Sequence, residues 1–77
     1  MSRMQDTGNR IKAAREAKGF SQEELGRACG VTKQTIYKYE KGIVTNISLG
    51  VLEALAGALC VSPIYLAGWE DEQEAQR

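Results

Sequence analysis

Histidine is absent from this 77-residue chain. Its absence removes the commonest general base and the commonest metal ligand. The two cysteines, Cys29 and Cys60, stand too far apart for a CxxC pair and are too few for a disulfide framework. No apolar run approaches the roughly 18 residues that a bilayer span requires. There is no glycine-rich phosphate loop, and no catalytic constellation can be assembled. The chain is therefore read as a non-enzyme, with no metal, cofactor or small-molecule substrate. Met1 to Arg10 is polar, and no apolar stretch follows its charges, unlike a signal peptide. The expectation is a reduced, cytoplasmic, soluble domain.

What is present looks globular: 43% apolar residues, 26% charged, and a single proline. The length fits one domain, which buries only about 60% of its unfolded surface. Net charge is formally zero, but it is unevenly placed. Residues 1–41 carry nine basic groups against five acids, a balance of +4; residues 42–77 carry Arg77 against five acids, a balance of −4. Such a split allows one basic face. An ordinary solvated surface with an acidic tail would give the same count.

Helix-period signals are short and well punctuated. Ile11, Ala14 and Ala17 recur every three residues before Gly19 stops the pattern, and Phe20 then turns back to the core. Ser21-Gln22-Glu23-Glu24 is a capping box, so a second helix starts near residue 22. Its apolar face is Leu25, Ala28 and Cys29, and Gly30 ends it. Thr32 caps a third helix that runs to about Lys41, with Ile36 and Tyr39 inward and Gly42 as its stop. Ile43 to Ile47 reads as a loop. Ser48 caps a fourth helix, Leu49 to Leu59, expected to be the most buried. Its stripe is Leu49, Leu52, Ala56 and Leu59, widened by Val51, Leu55 and Ala58. Gly50 and Gly57 within it cost roughly 1 kcal/mol each against alanine, and close helix contacts would be one use for them. Ser62-Pro63 opens a short fifth helix carrying Ile64, Tyr65, Leu66 and Trp69. Residues 70–77 have no apolar side chain larger than alanine and are expected to fray. The fold class is all-α: five helices in one domain over 1–69, then an acidic tail. Cys29 and Cys60 are read as small hydrophobes on apolar faces, with a redox switch the lesser alternative.

The informative stretch is Gln22 to Gly42. Two helices separated by about three residues around Gly30 must cross steeply, the helix-turn-helix geometry. Gly26 falls where the two helices come closest. The third helix then displays Thr32, Lys33, Gln34 and Thr35 at its N-terminal end, followed by Tyr37 and Lys38. Lysine can donate to guanine O6 and N7, and glutamine can bond adenine N6 and N7, each discriminating by about 1–3 kcal/mol. A solvated polar helix would have the same composition.

SQEELGRACGVTKQTIYKYEKG resembles the helix-turn-helix of the Xre/Cro family, the DNA-binding domains of lambda- and 434-type phage repressors. GNRIKAAREAKGF is similar to that family's first helix, and NISLGVLEALAGALCVSPIYLAGW to its fourth and fifth, so residues 8–69 are covered. Gly26 replaces a usual alanine, and Val44-Thr45-Asn46 lacks the basic residues some relatives set against the DNA backbone. The resemblance implies a five-helix lambda-repressor-like domain that binds operator DNA, usually as a homodimer. It implies that Thr32, Lys33, Gln34 and Lys38 face bases and that Gln22 bonds a phosphate. It also implies that Arg15 and Glu40 form an ion pair orienting the third helix, and that dimer contacts lie near the end of the last helix, where Tyr65, Leu66 and Trp69 read equally as core packing or as contacts with a second subunit. Tyr37 and Asn46 complete the candidate DNA-facing set. A palindromic operator and a repressor role follow as expectations. A restriction–modification controller, an antitoxin, or a protein-interaction module on the same fold remain as alternatives; Asn46-Ile47-Ser48-Leu49 also looks like controller proteins.

Overall fold

The computed structural model describes residues 3–68, with side chains from residue 7 onward. Trp69 and the acidic tail lie outside the described residues. Five helices follow one another: α1 Arg3–Lys18, α2 Gln22–Cys29, α3 Lys33–Lys41, α4 Leu49–Leu59 and α5 Pro63–Ala67. Strands are absent among the described residues. The first helix begins well ahead of the apolar repeat that signals it.

Each of α2 to α5 starts on a hydroxyl. Ser21, Thr32, Ser48 and Ser62 accept from the backbone N–H three residues on, at Glu24, Thr35, Val51 and Tyr65. Such a cap contributes about 1 kcal/mol by satisfying an N–H that the helix cannot. Glu24 returns the bond to the Ser21 amide at 2.8 Å, completing the capping box. Gly30, Gly42 and Gly68 close their helices in the left-handed region. Cys60 closes α4 the same way at φ 60°, the one non-glycine residue at positive φ among those described.

The core takes one fully enclosed side chain from every helix: Ile11, Leu25, Ile36, Leu55 and Leu66. Burying each such side chain is worth about 1.5–3 kcal/mol. Tyr39, Ala56 and Leu59 complete the cluster, and Phe20, Cys29, Val31 and Ile47 pack against it. The third helix packs on both α1 and α2, while α4 and α5 close the other side against α1 and α2.

The burial pattern corrects several sequence expectations. Ala17, Ala28 and Cys60 are exposed rather than inward. An alanine or a cysteine fits either face of a helix, so its spacing carries little directional information. Leu49 is 67% exposed, because it opens α4 at a point where no other element covers it. The stripe of α4 is covered only from Val51 onward. Gly50 and Gly57 face open space, so they serve no close helix contact. The close contacts occur at Gly26 and Gly8. A Cβ on Gly26 would stand 2.7 Å from the Val31 carbonyl oxygen, so the turn passes directly over α2. A Cβ on Gly8 would stand 2.5 Å from the Tyr39 carbonyl oxygen, which sets α1 against the backbone of α3.

Candidate nucleic-acid interface

The third helix is held from beneath by charge. Arg15, on α1, donates to Glu40 twice, from Nε to Oε2 at 2.7 Å and from Nη2 to Oε1 at 3.3 Å. Its remaining Nη1 donates to the Phe20 carbonyl at 2.9 Å. Gln22, the first residue of α2, donates from Nε2 to Glu40 Oε1 at 3.0 Å. One carboxylate on α3 thus collects α1 and α2. The Glu40 side chain is only 3% exposed and that of Arg15 11%, so the pair is shielded from bulk water. The hydrogen bond with Glu40 raises the Arg15 pKa still further, against a smaller lowering by desolvation. Two-pronged pairing of this kind fixes direction as well as distance.

Above that pair the outer side of α3 is open. Lys33, Gln34, Tyr37 and Lys38 are exposed. Thr32 is exposed and Thr35 half-buried, and their hydroxyls are engaged with each other at 2.9 Å. Thr32 Oγ1 also accepts the Thr35 amide, so both threonines act first as the helix cap. Asn46 is exposed in the loop between α3 and α4. The side chains singled out on α3 therefore share one surface, with Gln22 at its edge. Tyr65 and Leu66 lie on α5, away from it.

Zero net charge hides how the acids are used. Glu23 pairs with Arg27 at 3.2 Å, Glu24 is taken by the Ser21 cap, and Glu40 by Arg15 and Gln22. Lys12, Lys33, Lys38 and Lys41 form no ion pair among the described residues. Every acid on α2 and α3 is thus committed within the fold, while these lysines keep an unopposed charge.

Sequence reasoning overlooked a groove beside α3. Asn9 and Lys12 of α1 form one wall and Tyr37 and Lys41 of α3 the other, over a floor of Arg15, Gln22 and Glu40. The signal was present in the spacing: Lys33, Tyr37 and Lys41 recur every four residues and share one helical ridge. Lys41 Nζ stands 5.9 Å from the Tyr37 ring centre.

On α5, Leu66 is fully enclosed within the chain. Of the two readings open for it, core packing and contact with a second subunit, it takes the first, so Leu66 drops out of the candidate dimer contacts. Tyr65 is half-buried; the Arg10 guanidinium lies 4.7 Å from its ring centre, and Arg10 donates to its carbonyl at 3.3 Å. The outward apolar residue of α5 is Ile64, 45% exposed. Among the described residues no cluster of side chains could hold a metal ion, and no helix is long and apolar enough to cross a membrane.

The regulator SinR of Bacillus licheniformis is 39% identical over 67 residues, 87% of this chain and 60% of its own. The P22 c2 repressor, solved in complex with a synthetic operator, superposes with a TM-score of 0.74 at 35% identity, covering 78% of this chain and 89% of that one. The restriction–modification controller protein C.AhdI of Aeromonas hydrophila superposes with a TM-score of 0.76 at 35% identity, covering 82% and 94%. The chain spans 40% to 60% of the length of the first curated relatives it matches. A family model described as helix-turn-helix matches residues 11–70, with Lys33, Gln34 and the Arg15–Glu40 pair inside that span. The chain belongs to the Xre-type helix-turn-helix family of transcriptional regulators.

Proposed function

We propose that this protein binds double-stranded DNA sequence-specifically through α3, as a homodimer on a palindromic operator, and represses transcription by occupancy. The observation that carries the reading is the exposed ridge of Lys33, Gln34 and Lys38, held over the shielded Arg15–Glu40 pair. A helix so held fits the major groove, where its N-terminal residues meet base edges.

In this reading Lys33 donates to a guanine and Gln34 bonds an adenine bidentately. Lys38 and Tyr37 follow one turn later, and the Thr32 and Thr35 hydroxyls make shorter contacts at the groove floor. Gln22 spends one amide hydrogen on Glu40. Its second is free to donate to a phosphate, at a helix N-terminus whose amides favour an anion. Asn46 adds a neutral contact from the loop. Two protomers place their third helices in successive major grooves about 34 Å apart. Their contact lies near α5, where Ile64 and Tyr65 are accessible, with Trp69 following. Residues 1–69 form the DNA-binding unit and 70–77 an acidic extension. The family is one of regulators and not of enzymes.

Selection of bound sites from a random duplex library tests this reading. A palindromic motif with ten- or eleven-pair half-site spacing is expected, on the order of one helical turn. Recovery of no enriched motif would sink it. The likeness to C.AhdI favours a second reading, a controller of a restriction–modification system. An enriched motif located upstream of an endonuclease gene would single that out.

A further inference from the structure

We propose that the exposed lysines on and beside α3 form a docking surface for the chain's own acidic run, Glu70, Asp71, Glu72 and Glu74, and that the docked run competes with DNA for that surface. The competition rests on α3 entering the major groove. The docking itself does not, and it has a separate readout.

The surface and the run match in charge. Lys12, Lys33, Lys38 and Lys41 are exposed and have no ion-pair partner among the described residues. Glu40, the acid lining the groove between Lys12 and Lys41, has both oxygens occupied by Arg15 and Gln22. Four of the five acids in residues 42–77 fall within residues 70–74, with no basic residue among them. No other stretch of the chain concentrates acids in this way. One face of unopposed cations and one dense run of acids attract each other.

Reach supports the same pairing. The first helix packs on both α3 and α5. Its Arg10 donates to the Tyr65 carbonyl of α5 at 3.3 Å, while its Lys12 lines the groove with Tyr37 and Lys41 of α3. Two residues apart on a helix of about 3.6 residues per turn, Arg10 and Lys12 point to nearly opposite sides. The end of α5 is thus separated from these lysines by about the width of one helix, roughly 10–12 Å. Glu74 stands six residues beyond Gly68, which closes α5. Six residues span up to about 20 Å. The run can therefore cross α1 to Lys12 and Lys41, with Lys38 within one turn of Lys41. Lys33 lies about 12 Å farther along the axis and is left to DNA. Single exposed ion pairs are weak, but tethering holds the run at an effective concentration on the order of millimolar, and several pairs act together.

The test compares the wild-type chain with one carrying Glu70→Gln, Asp71→Asn, Glu72→Gln and Glu74→Gln together. Without DNA, at low salt, the amide signals of Lys12, Tyr37, Lys38 and Lys41 should differ between the two proteins, and the difference should fade by about 200 mM salt as charge is screened. In a Lys12→Gln/Lys41→Gln background the same four changes should leave those signals still. In a Lys18→Gln background they should shift as in the wild type, because Lys18 stands elsewhere, 3.5 Å from the Cys60 sulfur. Fluorescence anisotropy then reads the competition. The four changes should tighten binding to the selected and to an unrelated duplex alike, about three- to tenfold at 50 mM salt and less than about twofold at 200 mM. Tighter binding without any change in the α3 signals would mean that the run only repels DNA through space, and would overturn the proposal. Shifts that grow with protein concentration would assign the docked run to a second copy and overturn it too. Identical spectra and identical affinities would do the same. If the α3 signals respond but the wild type prefers no duplex, the docking stands and the major-groove reading fails.

Discussion

Gly8 of α1 lies against the carbonyl oxygen of Tyr39 on α3, so close that a methyl group there would stand 2.5 Å from it. The Glu40 carbonyl oxygen would be 2.7 Å away. The neighbouring atoms are backbone, which cannot swing aside as a side chain can. This contact sets the depth at which α3 is seated, and with it the position of Arg15 relative to Glu40.

Gly8→Ala should therefore push α1 and α3 apart. Overpacking of this kind costs about 1–3 kcal/mol, and the better helix propensity of alanine returns up to about 1 kcal/mol. A net loss of about 1–2 kcal/mol should appear as a lower urea midpoint at unchanged slope. Gly57→Ala is the contrast: it faces open space, and stability should rise by about 0.5–1 kcal/mol. Equal effects at the two positions would refute the close-approach argument.

The Arg15–Glu40 pair should behave asymmetrically. Arg15→Met alone strands a carboxylate that is 3% exposed and should cost about 3 kcal/mol or more. Replacing both, Arg15→Met with Glu40→Leu, should cost less than either single change, because no buried charge is left unmatched. A double-mutant cycle by chemical denaturation measures this. Simple additivity would place the pair among inconsequential surface charges.

Cys60 holds a left-handed conformation at φ 60° that costs an L-residue about 1–2 kcal/mol. Cys60→Gly should relieve that strain, offset in part by the greater freedom of glycine in the unfolded chain, for a net gain of about 0.5–1 kcal/mol. The exposed Cys60 thiol should also react with a thiol reagent well before the half-buried Cys29. A loss of stability in Cys60→Gly would show that the Lys18 contact outweighs the backbone.

Burial pushes the Cys29 thiol above the usual thiol range. The native state therefore holds its proton at a pH where the unfolded chain has released it. Linkage then makes this group's contribution complete below the ordinary thiol value of about 8.5 and progressively lost as pH rises past it. Denaturation midpoints between about pH 7.5 and 10 should fall more steeply for the wild type than for Cys29→Ala. Parallel curves would show that Cys29 titrates alike in both states.

Binding should divide by residue. Lys33→Ala and Gln34→Ala should each cost about 1–3 kcal/mol on the selected duplex and relax the preference at one base pair, with helical circular dichroism preserved. The wild-type salt slope for a dimer neutralising three or four phosphates per protomer should lie near −5 to −7. A slope shallower than about −2 would contradict backbone engagement.

The amino-acid sequence by itself determined the helices, because their signals are local. A serine or threonine satisfies an amide three residues away, a glycine adopts positive φ, and large aliphatic side chains repeat on one face. That is why the limits of α2, α3 and α4 and the inward places of Leu25, Ile36 and Tyr39 were legible. The helix-turn-helix was legible too, since only a short connection around Gly30 separates its halves. Tertiary structure alone decided what depends on a distant neighbour. Gly8 shows no distinguishing pattern until Tyr39 lies over it, and Leu49 belongs to an apolar stripe that nothing covers at its first turn. Leu66 could have faced solvent or the core until α5 packed against α1 and α4. The balance of charge is the clearest case. A count gives zero, and only folding decides which acids are consumed by their own neighbours and which lysines remain unopposed.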